Sequence, residues 1–138
     1  MRTLEQKYAA IIYTQVDQYR TDHPDEADKD RKRYGSMAHK LPILVRIAGL
    51  AQALAFVESR GKEPYQKLLS HLASVVIDGN KDDLLKQSRE ADLQQYTYLT
   101  RKTMLALTWY KRFAQSVLKI EATDDDEEDE DDHSSKPS

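Results

Sequence analysis

The side chains whose spacing points to chemistry are basic and lie in the C-terminal third of the chain. Arg101, Arg112 and Lys119 follow one another at intervals of 11 and 7 residues. At about 100° per helical residue, these steps return each side chain to within roughly 20° of one direction. Gln94, Thr97, Thr108 and Gln115 widen the same stripe, and Lys102 and Lys111 flank it. No acid occurs between Asp92 and Glu121 to neutralise it locally. A helix face bearing guanidinium and ammonium groups without carboxylates suits the phosphates of a nucleic-acid backbone. It also suits an ordinary solvated face. Tyr98 and Trp109 are the aromatics beside the stripe, so backbone contact is expected more than base stacking.

Two further basic features stand apart. Lys29, Arg31, Lys32 and Arg33 form a second cluster, but Asp28 and Asp30 are next to it and able to pair with it. Arg46 sits in the most apolar stretch of the chain. There it needs either a carboxylate partner, such as Glu5 or Glu90, or a place in a concave basic groove.

Catalytic patterns are missing. There is no Gly-rich phosphate loop, no HExxH and no Gly-x-Ser-x-Gly. His23, His39 and His71 never pair at metal-like helical spacing, and His133 stands among polar residues near the C-terminus. The chain has no cysteine, which excludes disulfides, thiolate zinc sites and a thiol nucleophile. The acids near the C-terminus lack the turn-forming framework of a calcium loop. No enzymatic activity, metal or cofactor is expected.

The charge is divided along the chain. The 138 residues carry a net −3, with 24 acids and 21 bases. All nine residues from Asp124 to Asp132 are acidic, and only Lys136 beyond them is basic, so residues 124–138 carry −8 and residues 1–123 carry +5. Every apolar residue also lies at or before Ala122. Residues 124–138 therefore lack the apolar surface needed to offset ordering entropy, and the expectation is a helical domain over 1–123 with a disordered acidic tail.

The elements that must position these groups are helices. Thr3 and Gln6 form a capping box ahead of Leu4, Tyr8, Ile11, Ile12, Val16 and Tyr19, which predicts a first helix over 4–20. His23-Pro24 breaks it. A second helix is expected over 27–40, ended by Pro42, and a third over 43–60. The third is apolar nearly all round and is the expected centre of the fold, with Gly61 as its stop. Pro64 opens a fourth helix, Asp78-Gly79-Asn80 is turn chemistry, and a short helix over 82–90 follows. The last helix is expected over 92–120. The fold class is all-α, a compact single-domain bundle of five to six helices. The apolar run 41–57 contains Pro42, Arg46, Gly49 and Gln52, so no membrane span is expected. The N-terminus has Glu5, Gln6 and Lys7 where an export signal needs apolar residues, so a cytoplasmic location is expected.

Three segments together resemble a known family: Leu4-Glu5-Gln6-Lys7-Tyr8-Ala9, the run from Leu41-Pro42 through Gly49-Leu50-Ala51-Gln52-Ala53-Leu54-Ala55-Phe56, and Trp109-Tyr110-Lys111-Arg112-Phe113-Ala114. The family is the small helical subunit of type III-B CRISPR RNA-guided effectors, the fifth subunit type of the Cmr complex. The likeness spans about residues 1–119. It implies a non-catalytic, all-helical subunit in antiviral defence. It also implies copies stacked in a short filament, lying along the RNA-binding backbone subunits and against the large subunit. Basic residues would face the crRNA–target RNA duplex. Within the matching segments these are Arg46, Lys111 and Arg112. The stripe argument adds Lys40, Arg101, Lys102 and Lys119. A helical protein–protein adapter without nucleic-acid contact is the alternative.

Overall fold

The computed structural model describes residues 1–122, and the expected disordered tail over 124–138 lies outside the described residues. Among the described residues there are six helices and no strand: α1 (Leu4–Asp22), α2 (Lys29–Ala48), α3 (Leu50–Arg60), α4 (Glu63–Val76), α5 (Lys81–Glu90) and α6 (Leu93–Ser116). The expected capping box starts α1. Thr3 Oγ1 accepts from the Gln6 amide at 3.1 Å, and Gln6 Oε1 accepts from the Thr3 amide at 2.9 Å. Asp28, Asn80 and Asp92 cap α2, α5 and α6 in the same manner, each offering a side-chain oxygen to unpaired first-turn amides.

One expected boundary moves. Pro42 does not end a helix; it lies buried inside α2, and the break comes at Gly49. Gly49 has φ +88° and ψ 160°, a conformation open to glycine alone. Proline removes one amide from the helical ladder, but its fixed φ is helical. Burial of Leu41, Pro42 and Val45 on one side carries α2 through it. Helix α3 has no side-chain cap of its own. The phenol of Tyr96, from α6, accepts from the Ala51 amide at 3.1 Å and performs that task.

The centre of the fold also moves. The stretch 43–60 is not buried on most sides: Ile43, Ile47 and Phe56 are 48%, 79% and 41% exposed. The core instead forms around the middle of α2 and the inward face of α4. Tyr34, Met37 and Leu41 from α2 and Tyr65, Leu68, Leu69 and Leu72 from α4 supply most of its largest buried members, joined by Ile12 and Tyr19 from α1, Leu50 and Leu54 from α3 and Tyr110 from α6. Gly35 has a reason in this packing. A Cβ at that position would lie 2.7 Å from both Cβ and Cγ1 of Ile120, so the segment after α6 rests on bare α2 backbone.

A polar thread runs through the core. The Tyr110 hydroxyl donates to Gln15 Oε1, and Gln15 Nε2 donates to Ser74 Oγ at 2.9 Å and to the His71 carbonyl at 3.2 Å. The Tyr34 hydroxyl lies 2.7 Å from His71 Nδ1. Burial, assisted by the nearby Lys67 ammonium, pushes the His71 imidazole down to about 4, so it is neutral at pH 7. Burial holds the Tyr34 hydroxyl protonated, far above the usual tyrosine range. The bond therefore joins a protonated hydroxyl to a neutral imidazole.

Two outcomes are expected. The unfolded chain protonates His71 near pH 6.5, while the folded chain refuses that proton until about pH 4. This contribution to stability is full above pH 6.5 and is lost as pH falls toward 4, by up to about 3 kcal/mol. Urea melts from pH 7 to 4.5 should show the loss, and His71→Gln should flatten it. Gly35→Ala, which in an open helix gains stability, should here cost about 1–3 kcal/mol in the same melts.

Candidate nucleic-acid interface

Helix α6 divides its surface between two tasks. Leu99, Thr103, Ala106, Leu107, Tyr110 and Ala114 are buried against the rest of the bundle. Thr97, Arg101, Thr108, Lys111, Arg112 and Gln115 are exposed on the other side. Arg101 and Arg112 lie on one line, roughly 16 Å apart along the axis. Lys111 projects about 100° to one side of Arg112, with Gln115 between them. Among the described residues no carboxylate pairs with Arg101, Lys111 or Arg112. The Arg112 guanidinium sits 5.9 Å from the Trp109 ring centre, and Trp109 stacks on Phe113 at 5.5 Å. An aromatic shelf therefore supports one edge of the basic face.

The structure trims the stripe. Thr97 and Thr108 hydroxyls donate to the carbonyls of Leu93 and Met104 at 2.8 and 3.0 Å, so their protons are spent within the helix. Gln115 Nε2 donates to a Glu121 carboxylate oxygen at 2.9 Å. Lys102 is half-buried; its ammonium donates to the Val76 carbonyl at 3.2 Å and lies 4.6 Å from the Tyr98 ring centre. Lys119 is exposed but lies outside the helix, because α6 ends at Ser116 and Lys119 adopts φ +62°. The projection at 100° per residue does not reach it.

The structure does not bring Lys40 or Arg46 to this face. Both stand on α2, which packs against the buried side of α6. Lys40 is half-buried and has an interaction of its own. Arg46 is exposed, so neither the expected burial nor the pairing with Glu5 or Glu90 applies. It stands between Ile43 and Ile47, which are themselves exposed.

The two arginines of the cluster 29–33 are structural, while Lys29 is exposed and Lys32 half-buried. Arg31 is 3% exposed and donates to three carbonyls: Leu118 from Nη2 and Nε at 2.9 and 3.2 Å, His23 at 3.1 Å and Pro24 at 3.3 Å. Arg33 is 9% exposed and lies 3.6 Å from Asp30. Sequence spacing carried no sign of this, because the partners of Arg31 are backbone atoms, one of them 87 residues away.

The three histidines among the described residues are likewise engaged within the fold. His39 Nε2 bonds the Ile120 carbonyl at 2.8 Å, His71 holds Tyr34, and His23 Nδ1 is 3.1 Å from the Tyr19 carbonyl. His23, Asp28 and Asp30 offer ligand atoms within 4.8 Å of one another. However, Asp28 Oδ1 already accepts from the amides of Asp30 and Arg31 as the α2 cap. A groove of about 590 Å³ lies between α5 and α6, lined by Asp83, Lys86, Glu90, Gln95, Tyr98 and Lys102. It joins acids and bases from two helices, and neither helix alone reveals it.

Substitutions should separate the two kinds of arginine. Arg101→Ala and Arg112→Ala should leave unfolding free energies within about 0.5 kcal/mol of the parent. Arg31→Ala should cost about 2–4 kcal/mol in chemical denaturation, because it orphans buried carbonyls.

Residues 4–117 match the family model described as CRISPR-associated protein (Cas_Cmr5). The CRISPR system Cmr subunit Cmr5 of Thermus thermophilus is 46% identical over 121 residues, covering 86% of this chain and 99% of that protein. A crystal structure of a CRISPR-associated Cmr5 family protein from Thermus thermophilus superimposes with a TM-score of 0.75 at 44% identity, covering 85% of this chain and 98% of that one.

Proposed function

The chain belongs to the Cmr5 family of CRISPR-associated proteins, and from that premise we propose that it is a non-catalytic structural subunit of a type III-B Cmr effector that contacts RNA through α6. The observation that carries this reading is the exposed face with Arg101, Lys111 and Arg112 and no carboxylate paired to them among the described residues. Exposed cations on a rigid, well-packed helix bind phosphates without reading bases. That suits a subunit laid along a crRNA–target RNA duplex whose sequence changes with every guide. Lys102 and Lys119 extend the positive field at either end of the face.

Arg46 belongs to a second surface. Ile43 and Ile47 flank Arg46 on α2, and Leu93, one turn before Tyr96, is 82% exposed. Tyr96 reaches Ala51 at the same α2–α3 corner, so these apolar side chains share one end of the bundle. Exposed apolar groups around a cation suit contact with another protein more than with phosphate. This end is the side we assign to neighbouring copies or to other Cmr subunits. It also keeps an adapter without RNA contact as the competing reading. No helix among the described residues is long and apolar enough to cross a membrane, and the reading assigns the assembly to the cytoplasm.

The test is the triple variant Arg101→Glu, Lys111→Glu, Arg112→Glu, titrated with duplex RNA across a salt series. The parent should bind weakly and with steep salt dependence. The variant should lose about 2–3 from the slope of log affinity against log salt. Co-elution with the remaining Cmr subunits should survive. Unchanged RNA affinity with loss of subunit stacking would instead establish the adapter.

A further inference from the structure

The chain beyond α6 carries a feature that RNA contact does not use. After Ser116 the backbone turns back on itself. The Leu118 amide donates to the Phe113 carbonyl at 3.2 Å, Lys119 takes a positive φ of 62°, and the Ile120 amide donates to the Ala114 carbonyl at 2.9 Å. The left-handed residue ends the helix, and the amide after it reaches a carbonyl six positions earlier, one residue wider than the usual glycine-type helix stop. Its anchor is firm, since Ile120 is 2% exposed against Gly35 and its carbonyl is bonded to His39. The reversal brings Glu121 back to α6, where its carboxylate bonds Gln115. Gln115 projects between Lys111 and Arg112. The first acid after the helix is thus bonded to a residue at the C-terminal end of the basic face.

Three residues later the sequence enters nine consecutive acids, Asp124 to Asp132. Ten residues from Ala122 to Asp132 span at most about 35 Å when extended. The axial distance from Lys111 back to Arg101 is roughly 15 Å. The run therefore has more than the reach needed to lie along every cation of the face. It carries −9 on a domain whose residues 1–123 carry +5. Tethering makes the encounter intramolecular, at an effective concentration in the millimolar range.

We propose that the acidic segment Asp124–Asp132 docks on the α6 face bearing Lys111 and Arg112, led there by Glu121, and competes with RNA phosphates for it. The competition rests on the RNA-contact reading above; the docking does not. Such a segment lowers affinity for isolated RNA and yields only where the assembly supplies a higher density of phosphate. It acts as a charge filter against stray RNA.

Two measurements on the full chain test docking and competition separately. Zero-length carbodiimide coupling at low salt, mapped by mass spectrometry, should join Lys111 to acids of 124–132 within one molecule. The yield should not change on dilution. It should fall at about 0.5 M salt, where screening is strong, and in Arg112→Glu. RNA binding is then compared with a chain ending at Thr123, which retains every described core contact up to Ile120. The shortened chain should bind duplex RNA more tightly by on the order of tenfold at low salt, with the difference gone at high salt. Absence of the Lys111 coupling would overturn the docking. Coupling with equal RNA affinities would overturn the competition. Coupling in a chain that binds no RNA at either length would uphold the docking and defeat the RNA-contact reading instead.

Discussion

A single buried guanidinium holds the two ends of this bundle together. Arg31 donates to the Leu118 carbonyl just past α6 and to the His23 and Pro24 carbonyls in the turn after α1. Its charge is met by carbonyl dipoles at the negative end of α6. A buried cation of this kind is costly to strand and far less costly to keep once most of its donors are bonded, as four are here. The constraint propagates. With Leu118 held, Ile120 is pressed onto Gly35 and its carbonyl onto His39, so more than two turns of α2 clasp the segment that follows α6. That clasp decides which side of α6 is inward, and therefore which side is left for its cations.

The basic face is in this sense a by-product of the clasp. Leu99, Ala106, Tyr110 and Ala114 are drawn inward, and Arg101 and Arg112 face solvent because they are the residues left over. Their rigidity comes from the packed side of the same helix. A rigid line of charge loses little conformational entropy when phosphate binds, in contrast to lysines on a mobile loop. The same clasp sets the exit direction of the chain. Without Ile120 seated on α2, Glu121 would have no fixed relation to Gln115.

The local features were legible because they follow from neighbours in sequence. The Thr3–Gln6 capping box, the break at His23-Pro24, the stop at Gly61 and the turn at Asp78–Asn80 all appear where their chemistry requires. The α6 stripe was legible for the same reason, since angular position on a helix is a matter of counting. The boundary at Pro42 failed because a local preference was outweighed by burial of the residues around it. Lys119 failed as a stripe residue because counting holds only while the helix lasts. Arg46 and the stretch 43–60 failed because apolar composition does not say how many sides a neighbour covers. Tyr96, which caps α3, sits 45 residues from the amide it serves and left no trace in the pattern.

The amino-acid sequence by itself determined that this chain is helical, that its charge splits into a basic body and an acidic C-terminal run, and that one helix carries cations along a line. These are properties of composition and of spacings of three to eleven residues, which helix geometry converts directly into direction. Only the tertiary structure decided which cations remain outside. It withdrew Arg31 and Arg33 into the core, tied Lys102 to Val76, moved Lys119 off the helix and left Arg46 on an apolar end. The physical reason is that burial is a long-range outcome. A side chain is hidden or exposed by what packs over it, and the elements that pack over α2 and α6 lie tens of residues away in the chain.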